Sequence, residues 1–530
     1  MPEHWQTRQW ISGFDGSAGT AVVTLSDAAL WTDSRYFIAA AAQFEGTPFQ
    51  LMKDGLPETP SIEEWICKQL AEGDAVGIDG ELLPLEGEDG WGSTFGKAGI
   101  QLRTDLDPAE ELWEDRPPIP KNKVEVQPLK FAGESAESKI ERVRQALREQ
   151  KAEGIVISQL DDIAWLLNMR GSDVHCNPVF VSYVLLTLDD VTLFIDSEKL
   201  DETAENYLKG LGVKVRPYGK PAFRSTASNP IPAMKSVKNA AEIEGFRRAT
   251  VRDGVAMVKF LRWLESAIST GKETEISIDR KLTALRAEQP LYRGLSFDTI
   301  AAYGPHGAIV HYEATPESDV LLEPKGLLLL DSGAQYQDGT TDITRTIALG
   351  PLTDEERLDY TLVLKGHIRL ALSRFPDGIS GTQIDALARY AMWQRGINYG
   401  HGTGHGVGAY LCVHEGPHQI RHTWKPAPLH AGMTVTNEPG IYRQGKHGVR
   451  IENTMLIVED GETEFGKFLR LEPLTLCPID LTPVIWDMMM PEEVAYLDAY
   501  HKKVYEKLSP YLTEEERKWL KIQCSMVNVQ

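Results

Sequence analysis

The chain has 530 residues, of which 42% are hydrophobic and 25% charged, a composition that excludes a disordered or repetitive protein. Its length asks for two or three domains, since single hydrophobic cores stop growing near about 250 residues. A net charge of -22 argues against nucleic acid as a partner, because each phosphate contact asks for Lys or Arg that this surface lacks.

Read from its start, MPEHWQTRQWISGF contains no apolar run of signal-peptide length, and no stretch of about eighteen apolar residues occurs later, so no membrane partner is expected. The first segment alternates short strands and helices: TAVVTL, a turn at SDA, AALWTDSRYF, then an amphipathic helix at SIEEWICKQLAE. The run RPPIPKNKVEVQP, residues 116–128, is rich in Pro and poor in apolar periodicity, and marks a linker. Beyond it SAESKIERVRQALREQKAEG reads as a helix with a Ser start and a Gly stop, followed by the strands GIVIS, VSYVLLTL and VTLFID, so the α/β pattern repeats. From about residue 238, KNAAEIEGFRRATVRDGVAMVKFLRWLESAI is a long amphipathic helix, after which glycine, histidine and carboxylate become concentrated. The tail PEEVAYLDAYHKKVYEKLSPYLTEEERKWLKIQ returns to plain amphipathic helix. The five cysteines, Cys67, Cys176, Cys412, Cys477 and Cys524, are odd in number and scattered, with no CxxC pair, which suits a reducing compartment and makes the cytoplasm the expected location.

Candidate chemistry begins in GLLLLDSGAQYQDGTTDITRTIAL, where an apolar run ends at Asp331 and a second strand starts at Asp342. A two-residue Asp338-Gly339 turn would set Gln337 opposite Thr340 and leave Asp331 and Asp342 an even offset apart, hence on one face. Alone, such a pair is more commonly a solvated turn. Beside a Leu-rich strand, however, paired carboxylates repel one another unless protonated or bridged by a cation. HGTGHGVGAYLCVHEGPH then places His401, His405 and His414 in a stretch whose alternating glycines exclude a stable helix, so an irregular loop is expected and a helical HExxH zinc site is not. MTVTNEPGIY ends a strand at Glu438, and alternation in GVRIENTMLIV puts Arg450, Glu452 and Thr454 on one face. Arg450 either pairs with Glu452 at the surface or orients a ligating carboxylate. Four carboxylates and one imidazole make two hard-donor sites suited to Mn, Co, Zn or Fe. Two such metals about 3.5 to 4 Å apart can hold a bridging hydroxide, the nucleophile for amide hydrolysis.

Asp331, Asp342, His405, Glu438 and Glu452, in that order and spacing, resemble the ligand set of the pita-bread metallopeptidases. More narrowly, ISGFDGSAGTA at 11–21, WTDSRYF at 31–37, LDDIAWLLNMRGSDVHCNPVF at 160–180, IVHYEATPES, YGHGTGHGVGAYLCVHEGP and NEPGIY are similar to the long, three-domain cytosolic Xaa-Pro aminopeptidases. This resemblance implies an α/β (α+β) fold in which two creatinase/prolidase-like N-terminal α/β domains, residues 1–122 and 123–237, precede a pita-bread catalytic domain at 238–530. It implies hydrolysis of the bond before a proline at the second position of a peptide, releasing the first residue with the help of two divalent ions, manganese being expected. Asp331 and Asp342 would hold one metal, Asp342 and Glu452 would bridge, and His405 and Glu438 would serve the other. Glu438 would also be the general base, His414 would lie near the scissile carbonyl, His401 near the proline, and His311 in the substrate site, while Arg450 fits the family's buried arginine. A homodimer is a further expectation. A tertiary Xaa-Pro amide has no N–H and a fixed ring, so a pocket can select it by shape.

The resemblance also sets expectations of departure. Only ten residues precede Ile11, so the first domain is expected to lack the opening strand and helix of its relatives. The segment GLGVKVRPYGKPAFRSTASNPIPAMKSVKN suggests that the second domain is shortened near its end. An uncovered sheet edge invites association, and the chain is expected to melt below a full-length relative. Two other functions compete: a prolidase-type dipeptidase with the same metal cage, and a pita-bread binding protein without catalysis.

Overall fold

The N-terminal segment forms three strands, β1 (Thr20–Val23), β2 (Ala28–Thr32) and β3 (Phe49–Lys53), in the computed structural model, which describes residues 1–219, 221, 223 and 227–525. The chain forms two compact units, Met1–Pro120 and Lys121–Gln530. In the first, β2 is buried along its whole length and is flanked by antiparallel β1 and parallel β3. Helix α1 (Ile62–Gln69) starts at a reciprocal Ser61/Glu64 cap and packs Trp65 and Ile66 against Trp31 and Phe95.

The second unit opens with α2 (Ala136–Glu149), capped by Ser135, and a four-stranded sheet in the order β7 (Lys214–Arg216), β6 (Val191–Phe194), β5 (Tyr183–Thr187), β4 (Gly154–Ile157). Ile140, Val143 and Leu147 of α2 face Ile155, Leu186 and Leu193 of this sheet. Part of the stretch expected to be shortened, residues 220, 222 and 224–226, lies outside the described residues.

Helix α3 (Ala240–Ala267) begins at a reciprocal Asn239/Glu242 cap and presents Ala256 and Phe260 to the strands that follow. These are β8 (Tyr292–Leu295), β9 (Ile300–Tyr303), β10 (Leu327–Ser332), β11 (Ala334–Tyr336), β12 (Gly339–Thr340) and β13 (Ile343–Ala348). β10 lies between β9 and β13, both antiparallel to it. After α4 (Asp354–Ala371) and α5 (Thr382–Trp393) come the paired strands β14 (Gly404–Gly406) and β15 (Glu415–Ile420). β16 (Thr434–Asn437), β17 (Gly440–Arg443), β18 (His447–Arg450), β19 (Asn453–Thr463) and β20 (Gly466–Pro473) follow, with α6 (Pro491–Leu508) and α7 (Glu514–Gln523) closing the described chain. No helix among the described residues is long and apolar enough to cross a membrane.

Four local expectations need correction. The hairpin pairs Tyr336 with Gly339, so Gln337 and Asp338 form the turn, and β13 begins at Ile343 rather than Asp342. The register slips because Asp338 is drawn inward: its carboxylate is buried and paired with Arg248 and Arg252 of α3. The slip is even-numbered, so Asp331, opposite Thr344, still shares a face with Asp342. The glycine-histidine stretch is not wholly irregular, since β14 pairs with β15 through a bulge between His405 and Gly406. β16 ends at Asn437, one residue before Glu438.

Candidate metal centre

Each predicted donor sits where a strand stops or kinks, which frees its side chain from the ladder. Asp331 is the penultimate residue of β10, Asp342 immediately precedes β13, and Glu438 follows β16, its N–H donating to the Thr403 carbonyl at 2.8 Å. Glu452 occupies the break between β18 and β19, where its N–H donates to the carbonyl of Thr344 at 3.0 Å. His405 is the middle residue of the bulged strand β14. The ligand atoms of Asp342, His405 and Glu452 all lie within 4.8 Å of one another. His405 Nε2 is 3.5 Å from Asp342 Oδ2 and 3.3 Å from Glu438 Oε1. Asp331 joins through Arg450, whose Nη2 and Nε donate to Asp331 Oδ2 at 2.7 and 3.2 Å.

The electrostatics of this cluster are unfavourable as it stands. Asp331, Asp342 and Glu452 are 7%, 4% and 1% exposed. Burial first, and then the charges of Asp331 and Glu438, push the Asp342 carboxyl well above the ordinary range. Burial and the charges of Asp342, Glu438 and Asp331 do the same to Glu452. Asp331 Oδ1 and Glu452 Oε1 are buried with no hydrogen-bond partner among the described residues, each a costly omission for an oxygen of this kind. The histidine adds to the mismatch. A carbonyl can only accept, so the 2.9 Å contact of His405 Nδ1 with Gly406 O fixes the proton on Nδ1. The lone pair of Nε2 in the neutral ring therefore faces two carboxylates. Cations among these atoms would satisfy the orphaned oxygens, the lone pair and the excess charge together, so the residues fit two divalent ions of the oxygen- and nitrogen-preferring kind.

The other predicted residues surround this cluster. His414, exposed, stands edge-on to His405 with ring centroids 4.3 Å apart. His401 is buried, with Nδ1 donating to the Gly402 carbonyl at 2.7 Å and Nε2 2.7 Å from the Tyr442 hydroxyl. His311 follows Val310, whose carbonyl accepts from Arg450 Nη2 at 3.3 Å. Of the two roles open to Arg450 in the sequence, the surface pair with Glu452 is excluded, because the guanidinium is 1% exposed and its acid partner is Asp331.

Three neighbours escaped the sequence reading. Tyr442 bridges His401 Nε2 and Arg450 Nη1, at 2.7 and 2.8 Å, and burial holds its hydroxyl up at about 12 despite the nearby arginine. Nothing in the local pattern singles it out. Thr344 Oγ1 donates to Glu452 Oε2 at 2.8 Å, and Thr436 Oγ1 to Glu438 Oε1 at 3.0 Å. Thr344 was within reach of pattern reasoning, since strand alternation sets it on the face of Asp342, two residues away.

The model of metallopeptidase family M24 matches residues 244–459 and that of its C-terminal region residues 467–527. Two creatinase/prolidase N-terminal domain models match residues 4–103 and 115–226. Fold and site thus define an M24 metallopeptidase preceded by creatinase-type domains. An "Aminopeptidase P1" of Arabidopsis thaliana is 38% identical over 98% of this chain and 93% of its own length. A "Probable Xaa-Pro aminopeptidase P" of Laccaria bicolor is 41% identical over 98% of this chain and 87% of its own. The crystal structure of X-prolyl aminopeptidase from Caenorhabditis elegans, described as a cytosolic enzyme with a di-nuclear active site, is 36% identical and superposes with a TM-score of 0.96 over 99% of this chain and 92% of that one. The chain belongs to the Xaa-Pro aminopeptidase P family.

Proposed function

We infer that this chain is a metalloaminopeptidase that hydrolyses the N-terminal Xaa-Pro bond of peptides and releases the first residue. The observation that carries this reading is the convergence of four carboxylates and an imidazole, with two orphaned buried oxygens, in a chain similar to aminopeptidases P along nearly its whole length. Asp331 and Asp342 would hold one divalent ion, His405 and Glu438 the other, and Asp342 and Glu452 would span both, manganese being the ion we expect. When bound, such ions supply Lewis acidity to the scissile carbonyl and make an attacking water more acidic.

The protein's own groups do the rest. Glu438, held by Thr436 on Oε1, takes the proton of the attacking water and later delivers it to the leaving proline nitrogen. His414 donates to the scissile oxygen as charge develops there. His401, fixed by Gly402 and Tyr442, borders the proline ring, and His311 borders the rest of the substrate. Arg450 offsets the negative charge of Asp331 and fixes its orientation. We assign the three domains to residues 1–122, 123–237 and 238–530, and place the enzyme in the cytoplasm as a homodimer without nucleic-acid or membrane partners.

The Xaa-Pro dipeptidase of Bacillus anthracis shares the fold, with 24% identity and a TM-score of 0.52 over 66% of this chain, and that likeness extends to fold alone. A manganese-loaded chain should cleave Xaa-Pro-Xaa tripeptides, with the rate abolished in Glu438→Ala. Cleavage confined to Xaa-Pro would mark a dipeptidase. Failure to take up metal would mark a binding protein, and equal rates in wild type and variant would refute the assigned base.

A further inference from the structure

Outside the carboxylate cluster, the described residues gather one other set of metal-ligating side chains: His175, Cys176 and Asp298, whose ligand atoms all lie within 4.8 Å of one another. They come from two segments that are far apart in sequence and are each held in place. His175 and Cys176 lie in the loop after Arg170, where Asn177 N donates to Val174 O at 3.2 Å and Gly171 N to Pro178 O at 3.3 Å. At its base, Asp173 Oδ2 accepts from Val181 N at 2.7 Å and from the buried Lys199 at 2.5 Å. Cys176 has φ 59, a conformation uncommon for a side-chain-bearing residue. Its carbonyl accepts from Gln335 Nε2 at 3.2 Å, and the same amide donates to Leu411 O at 2.9 Å. Asp298 lies between β8 and β9, where Ser296 Oγ donates to Thr341 O at 2.8 Å. Asp298 and His175 Nε2 meet at 2.7 Å.

The donor types select the ligand. An imidazole, a thiol and one carboxylate make a borderline-soft set that suits zinc-class ions and is poorly matched to magnesium or calcium, which prefer oxygen alone. Access is open, because the side chains of His175 and Asp298 are 73% and 49% exposed. The thiol is the more enclosed partner. Burial, then the charges of Asp298 and Glu313, push it up to about 12, so without a cation it stays protonated and is a weak nucleophile.

We propose that His175, Cys176 and Asp298 form a third cation site, for a thiophilic divalent ion of the zinc class, separate from the paired-ion centre. On binding, the Cys176 S–H bond breaks, its proton passes to solvent and Sγ bonds the ion. His175, whose Nε2–H donates to Asp298, passes that proton through solvent to Nδ1 and gives the freed Nε2 lone pair to the ion, while Asp298 gives one oxygen, leaving a fourth tetrahedral position to water. The ion would staple the Gly171–Pro178 loop to the turn before β9. That turn lies close to the catalytic cluster, since Ile300 pairs directly with Asp331.

The test uses the full chain with manganese in excess and cobalt(II) as the titrated probe. A sulfur-to-cobalt charge-transfer band reports thiolate ligation, which the oxygen- and nitrogen-donor catalytic cluster cannot produce, so the result is independent of peptidase activity. We expect one equivalent of this band, abolished in Cys176→Ser, unchanged in Cys67→Ser, and shifted in His175→Ala and Asp298→Asn to cobalt concentrations higher by more than the roughly tenfold that loss of an outer-sphere partner costs. No band in the wild type, a band surviving Cys176→Ser, or wild-type affinity in both His175→Ala and Asp298→Asn would each overturn the proposal.

Discussion

Replacing Thr344 by Val tests the metal centre with little change in shape. Thr344 is fully buried, its hydroxyl donates to Glu452 Oε2 at 2.8 Å and accepts from Arg450 Nε at 3.2 Å, and Glu452 is 1% exposed. The valine methyl keeps the volume and removes both bonds. Water cannot easily replace the lost donor at so buried an oxygen, so the cost falls on the bridging position we assign to Glu452. A hydrogen bond to a charged group contributes about 1.5–3 kcal/mol, and loss of a residue that orients a ligand weakens metal binding roughly 10–100-fold, which converts to about 1.4–2.7 kcal/mol. The two routes agree, so a rise of roughly tenfold to a hundredfold in the metal dissociation constant is expected. Competition against a fluorescent chelator measures it. Thr344→Ser keeps the hydroxyl and should restore most of the affinity. Wild-type affinity in Thr344→Val, or a Ser variant as weak as the Val variant, would refute the hydrogen-bond argument and leave the γ-methyl packing as the cause.

Chelation of the wild-type chain should lower its unfolding temperature, because Asp331, Asp342, Glu438 and Glu452 then face one another with Arg450 offsetting only Asp331, and added manganese should restore it; identical calorimetric traces with and without chelator would contradict this. Arg450→Met should destabilise the metal-free chain by about 3–5 kcal/mol in urea unfolding, since it breaks a buried ion pair and strands Asp331, and a loss under about 1 kcal/mol would show that the guanidinium is dispensable. Burial, followed by the charge of Arg345, lowers His501 to about 4, and its Nε2 accepts from Ile479 N at 3.0 Å. The folded state therefore binds fewer protons than the unfolded one below the ordinary histidine value near 6.5. The contribution is fully present above about pH 6.5 and shrinks as pH falls toward 4, by about 2 kcal/mol at pH 5. Urea unfolding at pH 8 and pH 5 should show a smaller difference in His501→Gln than in wild type, and equal differences would reject the assignment.

How much of this was legible in the sequence depends on whether a residue's role is local. Asp331 and Asp342 were readable as a same-face pair because strand parity survives a register slip of even number, and the slip itself was not readable, since it depends on Arg248 and Arg252 of a helix about ninety residues earlier drawing Asp338 inward. The glycines of the His405 stretch announced close backbone approach, and the structure gives the reason at Gly404, where an added Cβ would lie 2.0 Å from the Thr436 carbonyl. Pattern reasoning cannot find that carbonyl, though it can find the glycine that makes room for it. Tyr442 is the opposite case. Its hydroxyl matters because His401 and Arg450 converge on it from the loop before β14 and from β18, and neither its own strand position nor its neighbours in sequence encode that meeting. Thr344 lies between the two: alternation gives its face, but only the break between β18 and β19 brings Glu452 to its hydroxyl. Charge balance thus set by long-range contacts is the part of the site that composition and periodicity do not carry, and it decides whether three buried carboxylates and the half-buried Glu438 form a cation cage or a destabilising cluster.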